Sequence, residues 1–98
     1  MSDIILKTNN CIKAEYLLRE ALQTEVARFK YSFELAKKRL DKFETKYGVS
    51  SEKFINEWAS EDLEGKDMEY IEWSGEFELA MKLKDRIATL ESIEYVTS

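Results

Sequence analysis

Carboxylates crowd the middle of this chain. From Glu57 to Glu78 there are nine acids (Glu57, Glu61, Asp62, Glu64, Asp67, Glu69, Glu72, Glu76 and Glu78) against one base, Lys66, so the window carries −8. Glu69, Glu72 and Glu76 recur at i, i+3 and i+7, which places them on one face of a helix. They flank an aromatic stripe of Tyr70, Trp73 and Phe77. A carboxylate-bridged metal centre in a helical bundle draws on Glu-x-x-His pairs, and the chain has no histidine. General acid–base catalysis needs a pocket and a perturbed carboxyl, and the sequence marks neither. Ser50-Ser51 and Ser74-Gly75 lack a histidine base and the nucleophile-elbow pattern. No glycine loop of the phosphate-cradling kind is present. Neither catalysis, nor a metal, nor a cofactor is expected.

Recognition is the remaining chemistry. An acidic surface studded with aromatic rings suits a basic protein partner, because complementary charge speeds association and selects partners. The residues predicted to form it are Trp58, Glu61, Asp62, Glu64, Glu69, Glu72, Trp73 and Glu76. Two plainer roles compete. The carboxylates could be a solvated face, or could be matched internally by basic residues elsewhere, and Trp58 and Trp73 also suit a core. The window Lys7 to Lys46 holds ten bases against six acids, a net +4. Within it Lys30, Lys37, Lys38, Arg39, Lys42 and Lys46 form a basic streak. These residues do not share one face, and the helix after Gly48 carries Glu52 and Glu57 against Lys53 rather than a basic recognition surface. With a net charge of −5 over 98 residues, nucleic acid is a weak candidate.

The element that must position these groups runs from Leu22 to Tyr47. Its apolar residues, Leu22, Val26, Phe29, Phe33, Ala36, Leu40, Phe43 and Tyr47, alternate in steps of four and three, the heptad period of a helix packed along a seam. Leu22, Val26, Phe29, Phe33, Leu40 and Phe43 are the predicted oligomer seam. A first helix is expected over 10–46, about 55 Å long at ~1.5 Å per residue, capped by Thr8, Asn9 or Asn10. Gly48 suits the left-handed position that ends it. Ser50 or Ser51 caps a short second helix over 51–59 bearing Phe54, Ile55 and Trp58. Residues 59–66 read as a polar loop, and Asp67 can cap a third helix over 68–92 with Tyr70, Trp73, Phe77, Ala80, Leu83, Ile87 and Leu90 in one stripe. Ile71, Leu79 and Met81 widen that stripe toward a second surface. Gly75 inside this helix costs roughly 1 kcal/mol against alanine, and a close helix crossing would explain it.

No proline, three glycines and 36% charged residues fit long helices. The fold expected is all-α, an antiparallel helical hairpin of long, short and long helices in a single domain. If the second and third helices run back along the first, Ile4–Leu6 and Ile93–Val96 meet and pair as two short strands. Phe29, Phe33, Phe43, Trp58, Trp73 and Phe77 are too many rings for one two-helix seam, which predicts a homodimer or a foreign partner. The single cysteine, Cys11, cannot close an intramolecular disulfide, points to a reducing cytoplasm, and reads as a small, partly buried residue. No run is long and apolar enough to span a membrane, and the opening seven residues are too short and acidic for a signal peptide.

Two stretches resemble a known group. Lys42-Phe43-Glu44-Thr45-Lys46-Tyr47-Gly48-Val49-Ser50-Ser51-Glu52-Lys53-Phe54 and Asp67-Met68-Glu69-Tyr70-Ile71-Glu72-Trp73-Ser74-Gly75 look like small helical proteins of prokaryotic two-gene toxin–antitoxin loci. Their pattern is a long helix, a "KYG-hydrophobic-S" turn, a Phe-bearing short helix, an acidic Gly-containing loop and an acidic "EW" helix. The matching positions here are Lys46–Gly48, Phe54, Glu61–Gly65 and Glu72-Trp73, and the resemblance spans most of residues 10–92. It implies an antitoxin that masks a toxin by binding it. Such toxins are typically ribonucleases with basic substrate sites, which would make the acidic segment an imitation of phosphate charge. The N-terminal DNA-binding module that many antitoxins carry has no counterpart here, so the resemblance does not extend to autoregulation.

Overall fold

In the computed structural model, which describes residues 2–58 and 67–96, the chain is an antiparallel helical hairpin measuring 59 × 26 × 18 Å. Helix α1 spans Cys11–Tyr47, α2 spans Ser51–Lys53 and runs on as a π-helical turn over Phe54–Trp58, and α3 spans Asp67–Glu91. Three of these boundaries have a cause in the sequence. Asn10 is the N-cap of α1, its side-chain oxygen accepting from the Lys13 N–H, and it satisfies one of the helix's free donors. Gly48 ends α1 at φ +68°, a left-handed conformation that costs other residues steric strain, and its N–H returns to the Glu44 carbonyl. Ser50, in an extended conformation, then caps α2 through its hydroxyl to the Lys53 N–H.

The core lies between α1 and α3 and is thickest at the turn. Ala36 and Leu40 of α1, Phe54 of the π-helical turn, and Tyr70, Trp73, Ala80 and Leu83 of α3 are buried. Ala36 and Ala80 are nearly inaccessible, so small side chains occupy the middle of the seam and larger rings the turn end. The seam residues Leu22, Val26, Phe29, Phe33 and Phe43 are half-buried and Leu40 is buried. The heptad face of α1 is therefore occupied by the chain's own returning arm. The rings are covered unequally within the chain. Trp73 is fully buried, and Phe29, Phe33, Phe43, Trp58 and Phe77 are half-buried.

Ion pairs tie the two long helices. Lys46 meets Glu69, Arg39 meets Glu76 at 3.3 Å, and Lys30 meets Glu91 at 2.9 Å. The first two pairs stand one heptad apart on each helix, in opposite chain directions, as an antiparallel register requires.

Three expectations are corrected. Residues 2–8 and 93–96 form no strands, and Ile4, Ile5 and Leu6 are exposed. The reason is length. Glu91 closes α3 opposite Lys30, and beyond it Tyr95 lies against Arg19, whose guanidinium is 3.8 Å over the ring. The first two turns of α1 project past this point, keeping the tails apart. For the same reason Cys11, at the start of the projecting turns, is exposed rather than partly buried. Gly75, finally, marks no helix crossing. It is exposed, and a Cβ built there would meet nothing within 4 Å. Gly75→Ala is therefore expected to stabilise the hairpin by about 0.5–1 kcal/mol, read as a higher urea midpoint with an unchanged slope.

Candidate functional site

The turn end gathers most of the residues that the sequence singles out. Trp73 stacks on Phe54 with ring centroids 3.9 Å apart and planes 3° from parallel. Phe43 and Tyr47 of α1 each stack on it at 5.4 Å. Tyr70 meets Phe54 and Tyr47 edge-on at 5.0 and 5.7 Å. Trp58 closes the cluster against Tyr47 and Phe54. The spacing of Tyr47, Phe54, Trp58, Tyr70 and Trp73 brings rings from all three helices together. Aromatic pairs in these geometries add about 0.5–1.5 kcal/mol each beyond their buried area.

A polar relay runs through the cluster. The Trp73 indole N–H donates to the Ser51 hydroxyl oxygen at 2.9 Å. The Ser51 hydroxyl and backbone N–H both donate to one carboxylate oxygen of Glu44, at 2.7 and 2.8 Å. Ser51 is buried, so its bonds replace water that it has lost. A second relay lies beside the first. Glu69 accepts from the Lys46 ammonium through one oxygen and from the Tyr47 hydroxyl, at 2.7 Å, through the other. Lys46-Tyr47-Gly48-Val49-Ser50-Ser51 thus acts as a joint. Lys46 and Tyr47 hold α3, Gly48 reverses the chain, Ser50 starts α2 and Ser51 receives the tryptophan.

The Glu69 relay shifts three titrations. Hydrogen bonds from Lys46 and Tyr47 hold the Glu69 carboxyl below the usual glutamate range. The bond to Glu69 pushes the Lys46 ammonium and the Tyr47 hydroxyl above theirs. A carboxyl depressed on folding contributes stability that is full above about pH 4.3 and fades as pH falls through the folded value. An ammonium or phenol raised on folding contributes below about pH 10 and fades as pH rises through the raised values. The stability difference between the wild type and Glu69→Gln is therefore expected to be largest at pH 5–9. It should shrink toward zero on both the acid and alkaline sides, in a pH series of urea melts at low salt.

The predicted partner-surface residues divide. Trp73 is core, because three rings and Ser51 enclose it. Trp58 is half-buried at the edge of the cluster. Glu69 and Glu76 turn toward α1, where Lys46 and Arg39 meet them. Glu72 is exposed and pairs with no cation among the described residues. Glu61, Asp62 and Glu64 lie outside the described residues. Glu69, Glu72 and Glu76 do not converge, and among the described residues no group of three potential metal ligands comes together. The basic streak is engaged within the chain only in part, as Lys38 and Lys42 are exposed and pair with no carboxylate among the described residues. Lys30 and Arg39 pair with α3, and the Lys37 ammonium lies 5.9 Å from the Phe33 ring centre.

The outer face of α3 carries residues outside the predicted partner surface. Met68, Ile71 and Leu79 are 72%, 57% and 41% exposed. Glu72 and the bare Gly75 backbone lie between them, so the sequence of positions 68, 71, 72, 75 and 79 forms one outward stripe. Their signal was the widening of the apolar stripe by Ile71 and Leu79. No helix among the described residues is long and apolar enough to cross a membrane. Compared with known proteins, the chain matches no family model, no curated protein and no solved structure.

Proposed function

We propose that this chain is a non-enzymatic protein-binding module, an antitoxin-like mask that receives a basic segment of its partner on the outer face of α3. The observation that carries this reading is the exposed stripe of Met68, Ile71 and Leu79 with the Glu72 carboxylate inside it, which meets no cation among the described residues. An apolar patch rimmed by charge is characteristic of a protein interface. Methionine adapts to a partner's shape, and Gly75 leaves a notch where a partner side chain can approach the backbone. Glu57, exposed at the same end, adds to the negative field that would steer a basic partner. The docking mode is helix on helix, read through anchors at i, i+3 and i+11. The toxin–antitoxin resemblance supplies the class of partner, a basic toxin. In this reading the acidic cluster has two roles, as Glu69 and Glu76 build the hairpin and Glu72 faces outward.

The test is co-expression with the products of neighbouring reading frames. One of them should arrest growth alone, be silenced by this chain, and co-purify with it. Ile71→Lys combined with Glu72→Lys should weaken that complex at least tenfold and abolish protection, with helix content unchanged. The reading fails if no neighbour is toxic, or if the double variant binds and protects as the wild type does.

A further inference from the structure

The side of α1 that faces away from α3 bears a second heptad stripe. Leu17, Thr24 and Tyr31 recur every seven residues, with Glu20, Ala21, Ala27 and Arg28 between them, and all seven are exposed. Leu17 is 51% and Tyr31 68% exposed, on the helix face opposite the seam with α3. A shallow crevice on it is lined by Thr24, Ala27, Arg28, Tyr31 and Ser32. The first four stand at i, i+3, i+4 and i+7, the rim of a hole that accepts a knob from a facing helix.

The order of residue types along this stripe identifies the occupant. About Thr24, residues at equal distances on either side are complementary. Ala21 mirrors Ala27, acidic Glu20 mirrors basic Arg28, and Leu17 mirrors Tyr31. We propose that α1 pairs antiparallel with α1 of a second copy, the two-fold axis passing at Thr24. In that register small residues line the centre, where the backbones come close. The carboxylate of Glu20 meets the guanidinium of Arg28 twice by symmetry, and Leu17 covers Tyr31 at each end. This is the isologous contact a two-fold dimer requires. Among the described residues Glu20 has no ion-pair partner, and Arg28 meets only Glu25 of its own helix, at 3.4 Å, with the Arg28 side chain 73% and the Glu25 side chain 41% exposed. Exposed pairs of that kind contribute little, so Arg28 is available to a second chain. The seam formed by Leu22, Val26 and Phe29 stays within each hairpin, and the outer face of α3 stays open in the dimer. The inference is therefore independent of the proposed partner.

Charge reversal and cross-linking test it in the full chain with Cys11→Ser, so that no native thiol interferes. Sedimentation equilibrium should show a reversible monomer–dimer equilibrium. Glu20→Arg sets two like charges against Arg28, and Arg28→Glu does the same against Glu20. Each should weaken the dimer about tenfold or more, and the two together should restore it. Thr24→Cys should form a disulfide dimer under mild oxidation. Glu34→Cys should not, because the two copies of that position lie about 30 Å apart in this register. Circular dichroism checks that each variant is helical. A protein monomeric to millimolar concentration, a double charge swap no better than the single changes, or equal cross-linking at positions 24 and 34 each overturns the proposal.

Discussion

Trp73→Ala is expected to cost about 3–5 kcal/mol, the range for deleting a large buried ring. That is a large share of the ~5–15 kcal/mol by which folded domains of this size are stable. The indole is fully buried and touches elements from the whole molecule. Phe54 of the π-helical turn stacks on it, Phe43 and Tyr47 of α1 stack on it, and Ser51 accepts its N–H. Alanine would leave a cavity at the joint of three helices and an orphaned serine acceptor. Guanidinium unfolding followed at 222 nm should show the loss, with Trp58 as the remaining fluorophore. Trp73→Phe separates the two contributions. It keeps a stacking ring and removes the donor, so it should cost less than half as much. Equal losses for the two variants would mean that the hydrogen bond, rather than the ring, carries the joint.

Ser51→Ala has the second largest expected effect, about 2 kcal/mol. The change removes one oxygen atom. It leaves the buried indole N–H of Trp73 without its acceptor and takes from Glu44 the shorter of its two bonds to Ser51. An unsatisfied buried donor costs about 1–3 kcal/mol, more than the net worth of the bond itself. Ser50→Ala removes only an exposed cap, so it should cost about 1 kcal/mol. The contrast between adjacent serines, measured in the same denaturant series, distinguishes a buried relay from an ordinary helix start.

These residues also show which parts of the structure the chain's pattern discloses. The three helices follow from local rules, because the heptad steps of α1, the left-handed Gly48 and the Ser50 cap each act over a few residues. The antiparallel hairpin follows from the combined length of the returning elements. The partition of the acids is legible only in outline. Glu69, Glu72 and Glu76 look alike at i, i+3 and i+7, yet the first and last meet cations of α1 while the middle one faces water. What separates them is the rotation of α3 against α1, a tertiary quantity. Ser51 was equally ambiguous, because a serine after a turn suits a cap as well as a core. The absence of terminal strands depended on a mismatch of about two helical turns, within the uncertainty of any boundary read from sequence. Gly75 looked like a packing device and is instead a bare exposed position.

Together these features make α1 a scaffold with unequal ends. The turn end is locked by rings, Ser51 and Glu69, and the opposite end projects beyond the returning arm with Ile12, Tyr16 and Leu17 exposed. That asymmetry constrains where binding faces can lie, since the residues with the strongest chemical signature are engaged in the lock. Local opening free energies follow burial and bonding, so amide hydrogen exchange of the full chain in dilute solution tests the asymmetry directly. The slowest amides should lie in residues 36–47 and 70–83, and the fastest helical amides in residues 11–18. Protection of residues 11–18 equal to that of residues 36–47 would contradict the account.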